Sequence, residues 1–147
     1  MDILLIKQIE LKYLTKIKKL FYLLALEGPK APNISNLANK IETSRATVMN
    51  YIKYLSDARL INMVHHVGDE FPKKPSKIMM YNPNLMYAIY PIVANTQDIM
   101  ETFFVNTVWK NHKVNQGNKD ACYIIDENKT YRIINSQQTT KQRYMPD

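Results

Sequence analysis

Only three glycines, Gly28, Gly68 and Gly117, interrupt the 147 residues. They are too few and too scattered to build a GxGxxG dinucleotide loop or a GxxxxGK[ST] phosphate loop. Nucleotide hydrolysis by this chain alone is therefore excluded. One cysteine, Cys122, rules out an intramolecular disulfide and any zinc cluster built on cysteines. No stretch approaches 18 uncharged apolar residues, so no membrane span is expected. The amino terminus MDILLIKQIE carries Asp2 and lacks a small-residue cleavage site, so it does not read as a secretion signal. The lone cysteine points to a reducing compartment or carries no redox information, and a cytoplasmic protein is expected. Internal repeats and low-complexity segments are also missing. At 147 residues the chain is too short for an enzyme of several lobes and fits one ordinary domain or two small ones.

What is present is the composition of a folded protein, with 46% hydrophobic and 22% charged residues. The 20 Lys and Arg exceed the 13 Asp and Glu, a net charge of +7. Residues 1–81 hold 13 basic and 7 acidic side chains, and residues 82–147 hold 7 and 6. The excess of the first half suits a polyanion, although a basic surface can also be merely solvated.

Texture changes near Tyr81. Before it, helical spacing dominates: Ile9, Tyr13, Ile17, Leu20, Phe21 and Leu24 define an apolar face over 9–26, closed by Gly28 and Pro29. Asn33 reads as the cap of a short helix with Ile34, Leu37, Ala38 and Ile41 on one face. Three residues, Glu42 to Ser44, interrupt the pattern, and Ser44 caps another helix with Val48, Tyr51, Ile52 and Leu55 inward. Two amphipathic helices so joined are the sequence form of a helix-turn-helix. A strand over 60–67, a polar loop over 65–77 and a return strand over 78–81 then make a wing. Beyond it, Asn82 and Pro83 start a short helix running to Tyr90 and stopped by Pro91, and 97–110 forms another with Phe103, Phe104, Val108 and Trp109 as its apolar residues. Strands are expected over 112–115, 120–126 and 129–134, with a tight turn at Glu127 and Asn128. From Asn135 the chain is polar and turn-rich. The expected fold is mixed α/β: a winged helix-turn-helix over 1–81 and a small, incomplete α/β domain over 82–147.

In a helix-turn-helix, residues near the start of the second helix enter the major groove. Helical geometry turns Ala46, Asn50, Lys53 and Asp57 outward, flanked by Arg45, Thr47, Met49 and Tyr54. Asn suits the N6/N7 edge of adenine, Arg guanine or phosphate, and Lys53 a phosphate. Lys73, Lys74 and Lys77 stand together in the wing and can rest on the backbone. Asp57 opposes this reading, and such modules also dock proteins.

Three strings, NYIKYLSDARLI (50–61), FPKKPSKIMMYNPNLMYAIY (71–90) and ETFFVNTVWKNHKV (101–114), carry a family likeness. They resemble the carboxy-terminal region of a prokaryotic family of AAA-type ATPases. There, a P-loop ATPase domain precedes a winged helix and a domain of unknown function similar to a PD-(D/E)xK nuclease core. The resemblance spans about 18–134 and implies that the ATPase portion is absent, so the chain reads as a fragment, a decayed gene or a truncated form. It also implies where nuclease carboxylates would stand. Glu101 matches the helical acid and Asp120 the acid at the start of a strand. The following strand should carry Glu-x-Lys, but Arg132 occupies the carboxylate position and Ile134 the lysine position. Cleavage needs carboxylates around Mg²⁺ and a lysine beside the water. No catalytic activity, metal or cofactor is expected, and Arg132 is expected to pair with Asp120 or Glu101.

Remaining candidates are bland. His65 and His66 are adjacent in a strand and point to opposite faces, so they do not chelate one metal. Cys122 reads as a small buried hydrophobe, and Trp109 as core. The preferred function is binding of double-stranded DNA. Docking to an ATPase domain or other protein, or no independent function, are the rivals.

Overall fold

The computed structural model describes residues 3–89 and 95–134, with side chains from Lys12 onward. Helix α1 spans Ile3–Glu27, α2 Ile34–Lys40 and α3 Arg45–Asp57. Strands β1 (Ile61–Val64) and β2 (Lys77–Met80) follow, then helices α4 (Pro83–Ile89) and α5 (Thr96–Trp109). The order closes with β3 (Val114–Gln116), β4 (Cys122–Ile125) and β5 (Lys129–Arg132). Five helices and two small antiparallel sheets among the described residues make a mixed α/β fold, as expected. The expected stop at Pro91 and the tail from Asn135 lie outside the described residues.

Helix α1 begins earlier than the periodicity predicts, because no Gly or Pro precedes Gly28 and the first ten residues are good helix formers. Asn33 and Ser44 are caps, as read from the sequence: Asn33 Oδ1 accepts from the Asn36 amide at 3.0 Å and Ser44 Oγ from the Thr47 amide at 3.1 Å. Between α2 and α3 the chain reverses at Glu42, whose φ of 55° is the left-handed conformation that ends a helix. The Thr43 amide closes this turn on the Ala38 carbonyl at 3.0 Å. Lys16 of α1 donates to the Glu42 carbonyl at 2.9 Å, which ties the reversal to the first helix.

Two apolar clusters share one hairpin. Leu20 and Leu24 of α1, Leu37 of α2 and Val48, Ile52 and Leu55 of α3 pack with Ile61, Ile78 and Met80. Val64 and Met79 instead join Val105, Val114, Tyr123 and Ile125. Alternation along a strand explains the division, since Ile78 and Met80 face one way and Lys77 and Met79 the other. The change of texture at Tyr81 thus falls between packed elements. Two isolated bridges extend the pairing, Lys30 with Ile78 and His66 with Gln116.

In α5 the buried residues are Glu101, Thr102 and Val105. Trp109 is 39% exposed and Phe103 60%, so Trp109 is not core. Apolar residues span too wide an arc of this helix for all to face inward. The last hairpin turns one residue before the expected place, at Asp126 and Glu127, which have φ of 53° and 59°. Asp126 anchors it by accepting from the Lys113 amide at 2.9 Å and from His112 Nδ1 at 2.7 Å.

Candidate nucleic-acid interface

Helix α3 presents the face that the spacing predicts. Val48, Tyr51, Ile52 and Leu55 are buried, while Arg45, Ala46, Asn50 and Tyr54 are exposed. Thr47 is half-buried and its hydroxyl lies 2.8 Å from Ser44 Oγ, so part of its hydrogen-bonding capacity serves the cap. Lys53 pairs with Asp57 at 3.1 Å and lies 5.6 Å from the centre of the Phe71 ring.

The loop between β1 and β2 leans back on this helix. His65 Nε2 lies 3.0 Å from the Lys73 carbonyl oxygen, which places the proton on Nε2 because a carbonyl only accepts. Lys73 pairs with Asp69 at 3.0 Å. Pro72 and Lys74 line a shallow cleft of about 250 Å³ with Ile34, Arg45, Ala46 and Met49. No acid lines it, and neither Arg45 nor Lys74 has an ion-pair partner among the described residues.

Lys77 departs from the expectation. It is the first residue of β2, 3% exposed, and cannot reach a phosphate from there. Its ammonium donates to Glu101 Oε1 at 3.2 Å, Asp120 Oδ1 at 2.9 Å and the Tyr123 hydroxyl at 3.2 Å. Those three acceptors use all three N–H bonds of the ammonium. Tyr123 in turn donates to Glu101 Oε1 at 2.7 Å, and Gln97 Nε2 to Glu101 Oε2 at 3.3 Å. Burial and then the Glu101 charge push the Tyr123 hydroxyl far above its ordinary pKa, so it stays a donor. The hydrogen bond from Lys77 holds Asp120 below its usual value, whereas burial and then Glu101 raise Asp98.

Glu101 and Asp120 do converge, although the cation between them is Lys77. Arg132 is exposed on β5 and has no ion pair among the described residues, so the expected pairing is not made. An Mg²⁺ ion does not fit this arrangement, since an ammonium already occupies the point where the two carboxylates meet. Among the described residues no group of three His, Cys, Asp or Glu is placed to hold a metal. Sequence reasoning does not reach this cluster, because it places Lys77 in the loop rather than in β2. A signal existed: the unbroken apolar run Ile78, Met79, Met80 marks a strand buried on both faces, and Lys77 shares the face of Met79.

The family described as a domain of unknown function (DUF8612) matches residues 1–96. The chain belongs to this family. The DUF8612 match holds α1 to α4, the α3 face and Lys77, and stops at the first residue of α5, before Glu101 and Asp120. No curated protein and no solved structure matches the chain. The match shows no link to an ATPase or a nuclease family. No helix among the described residues is long and apolar enough to cross a membrane.

Proposed function

We propose that the chain is a non-catalytic, cytoplasmic DNA-binding module, with α2, α3 and the β1–β2 hairpin acting as a winged helix-turn-helix. The observation that carries this reading is the cleft where Arg45, at the start of α3, and Lys74, in the wing, stand together with no acid in the lining and no ion-pair partner among the described residues. Arg45 and Asn50 address base edges, Thr47 the adjacent backbone, and Lys74 a phosphate. Lys53 and Lys73 remain available, because their exposed ion pairs are worth only about 0–1 kcal/mol and exchange readily for phosphate. Because the wing leans on α3, the groove is entered by the first turns of the helix.

Titration of the full chain with duplex DNA at several salt concentrations tests this. Affinity is expected to fall steeply with salt, and Arg45→Ala with Lys74→Ala to flatten the log–log slope by roughly one unit per lost contact. At a preferred site Asn50→Ala should cost about 1–3 kcal/mol, with little change on random DNA. No binding at low salt refutes the reading.

A second reading has its own support. Tyr13, Leu14, Tyr22 and Leu26 of α1 are exposed apolar side chains. The sequence resemblance to the carboxy-terminal region of AAA-type ATPases makes an ATPase domain the partner for them. Under either reading the nuclease-like part is proposed to be inert, since Lys77 takes the cation position between Glu101 and Asp120. Plasmid incubated with the chain and Mg²⁺ or Mn²⁺ should stay supercoiled. Metal-dependent nicking that is lost on Asp120→Ala overturns this part of the proposal.

A further inference from the structure

One cleft lies beside the end of α3, where the two apolar clusters meet. It has a volume of about 660 Å³ and is walled by the end of α3, β1, the wing loop, the end of α5 and β3. That size suits a small organic ligand. Two asparagines line it: Asn62 of β1, 7% exposed, and Asn115 of β3, 4% exposed. Asn115 Nδ2 donates to the His65 carbonyl at 3.1 Å, which fixes the orientation of this amide and leaves its Oδ1 without a partner. Asn62 Nδ2 is likewise unpartnered. Both atoms are buried in the wall of the cleft, and buried amide atoms without hydrogen bonds are costly, so the wall gains when an occupant draws them into contact.

Aromatic and cationic groups surround these amides. Phe71 and Trp109 line the same cleft, and Trp109 keeps much of its ring exposed at the end of α5. Of the four charged residues lining the cleft, Lys113 is engaged by Glu127 at 2.8 Å and Asp69 by Lys73 at 3.0 Å. Arg59 and Lys110 have no ion-pair partner among the described residues. Arg59 stands at the edge because the chain turns there with a φ of 59° as α3 ends.

We infer that this cleft binds a nucleoside phosphate: the base stacks on Trp109 or Phe71, its donor–acceptor edge meets Asn115 Oδ1 and Asn62 Nδ2, and the phosphate lies on Arg59 and Lys110. An aromatic platform, an amide pair and a separate cation are the three elements by which proteins hold an unstacked nucleotide. Neither a simple anion nor an apolar ligand would use all three. The same chemistry arises from a free mononucleotide or from a nucleotide within a single strand. Arg45, Asn50 and Lys74 do not line the cleft, so their substitution separates it from the duplex reading, whereas Lys53 stands over Phe71 and Lys73 pairs with Asp69, both of which line it.

Trp109 is the only tryptophan, so its fluorescence reports on this cleft. The full chain is titrated with adenosine, guanosine, cytidine and uridine 5′-monophosphates, with orthophosphate, and with a short single-stranded oligonucleotide. Saturable quenching by at least one nucleotide is expected. Arg59→Ala with Lys110→Ala should weaken the nucleotide about tenfold and leave the parent nucleoside unchanged. Asn62→Ala should weaken both nucleotide and nucleoside about tenfold. Asn115→Asp, which keeps size and an acceptor, serves as a second variant should Asn62→Ala fail to fold, and should likewise weaken both because it removes the amide's hold on the His65 carbonyl. Tighter binding of the oligonucleotide than of any mononucleotide assigns the source as a strand, and the reverse assigns a free nucleotide. Arg45→Ala with Lys74→Ala should leave the quenching intact whether or not duplex binding is lost. No saturable quenching up to about 1 mM, displacement by orthophosphate at equal concentration, or wild-type affinity in the folded variants overturns the inference.

Discussion

Lys77→Met is expected to destabilise the fold by about 3–5 kcal/mol in urea denaturation at pH 7, the cost of stranding one member of a buried ion pair. Lys77 and Glu101 have side chains only 4% and 6% exposed, so Glu101 left alone keeps the hydrogen bonds from Tyr123 and Gln97 but loses its cation. Adding Glu101→Gln should recover most of the loss at pH 7, because a neutral amide can still accept from Tyr123. Asp120 makes the unaltered protein sensitive to pH. Its folded value lies below 3.8, so its contribution is present above pH 3.8 and fades as pH drops through the depressed value. With a side chain 92% exposed, that contribution is screened and small. A loss below about 1 kcal/mol for Lys77→Met, or no recovery in the double variant, means that the ammonium is not the partner of Glu101.

Met79→Ala is expected to cost about 2–5 kcal/mol and to move the unfolding of the whole chain. Met79 is fully buried among Val64, Val105, Val114 and Tyr123, yet its neighbours Ile78 and Met80 belong to the helical cluster. A cavity behind β2 thus loosens a strand on which both clusters depend. Far-UV circular dichroism weights the long helix α1, whereas Trp109 fluorescence reports the end of α5. The two curves should coincide and shift together. Curves that separate, with only the fluorescence transition moving, show that the halves unfold independently. By the same reasoning, a piece ending at Tyr81 leaves Val64, Met79 and the Lys77 ammonium uncovered, so the DNA titration is specified for the full chain.

The caps at Asn33 and Ser44, the inward rows of α2 and α3, and the hairpin strands were legible because they depend on neighbours within one or two turns. The exposure of Arg45 and Asn50 was legible for the same reason: the helical repeat fixes which residues oppose Val48, Tyr51, Ile52 and Leu55. Strand boundaries were less so, and a one-residue difference at the start of β2 moved Lys77 from a solvated loop into the interior. Glu101 and Asp120 stand out through family resemblance, but the resemblance points to Arg132 as their partner, and which cation meets them depends on strand register across elements. Trp109 shows the same boundary, since its apolarity says core while the arc of α5 that meets the sheet leaves it at a cleft edge. Local chemistry thus determined the helices, their caps, the mixed α/β class and the outward face of α3. Tertiary structure decided which cation neutralises Glu101, that one hairpin serves two clusters, and that Asn62 and Asn115 line one cleft, because each joins groups from distant parts of the chain whose meeting no local period encodes.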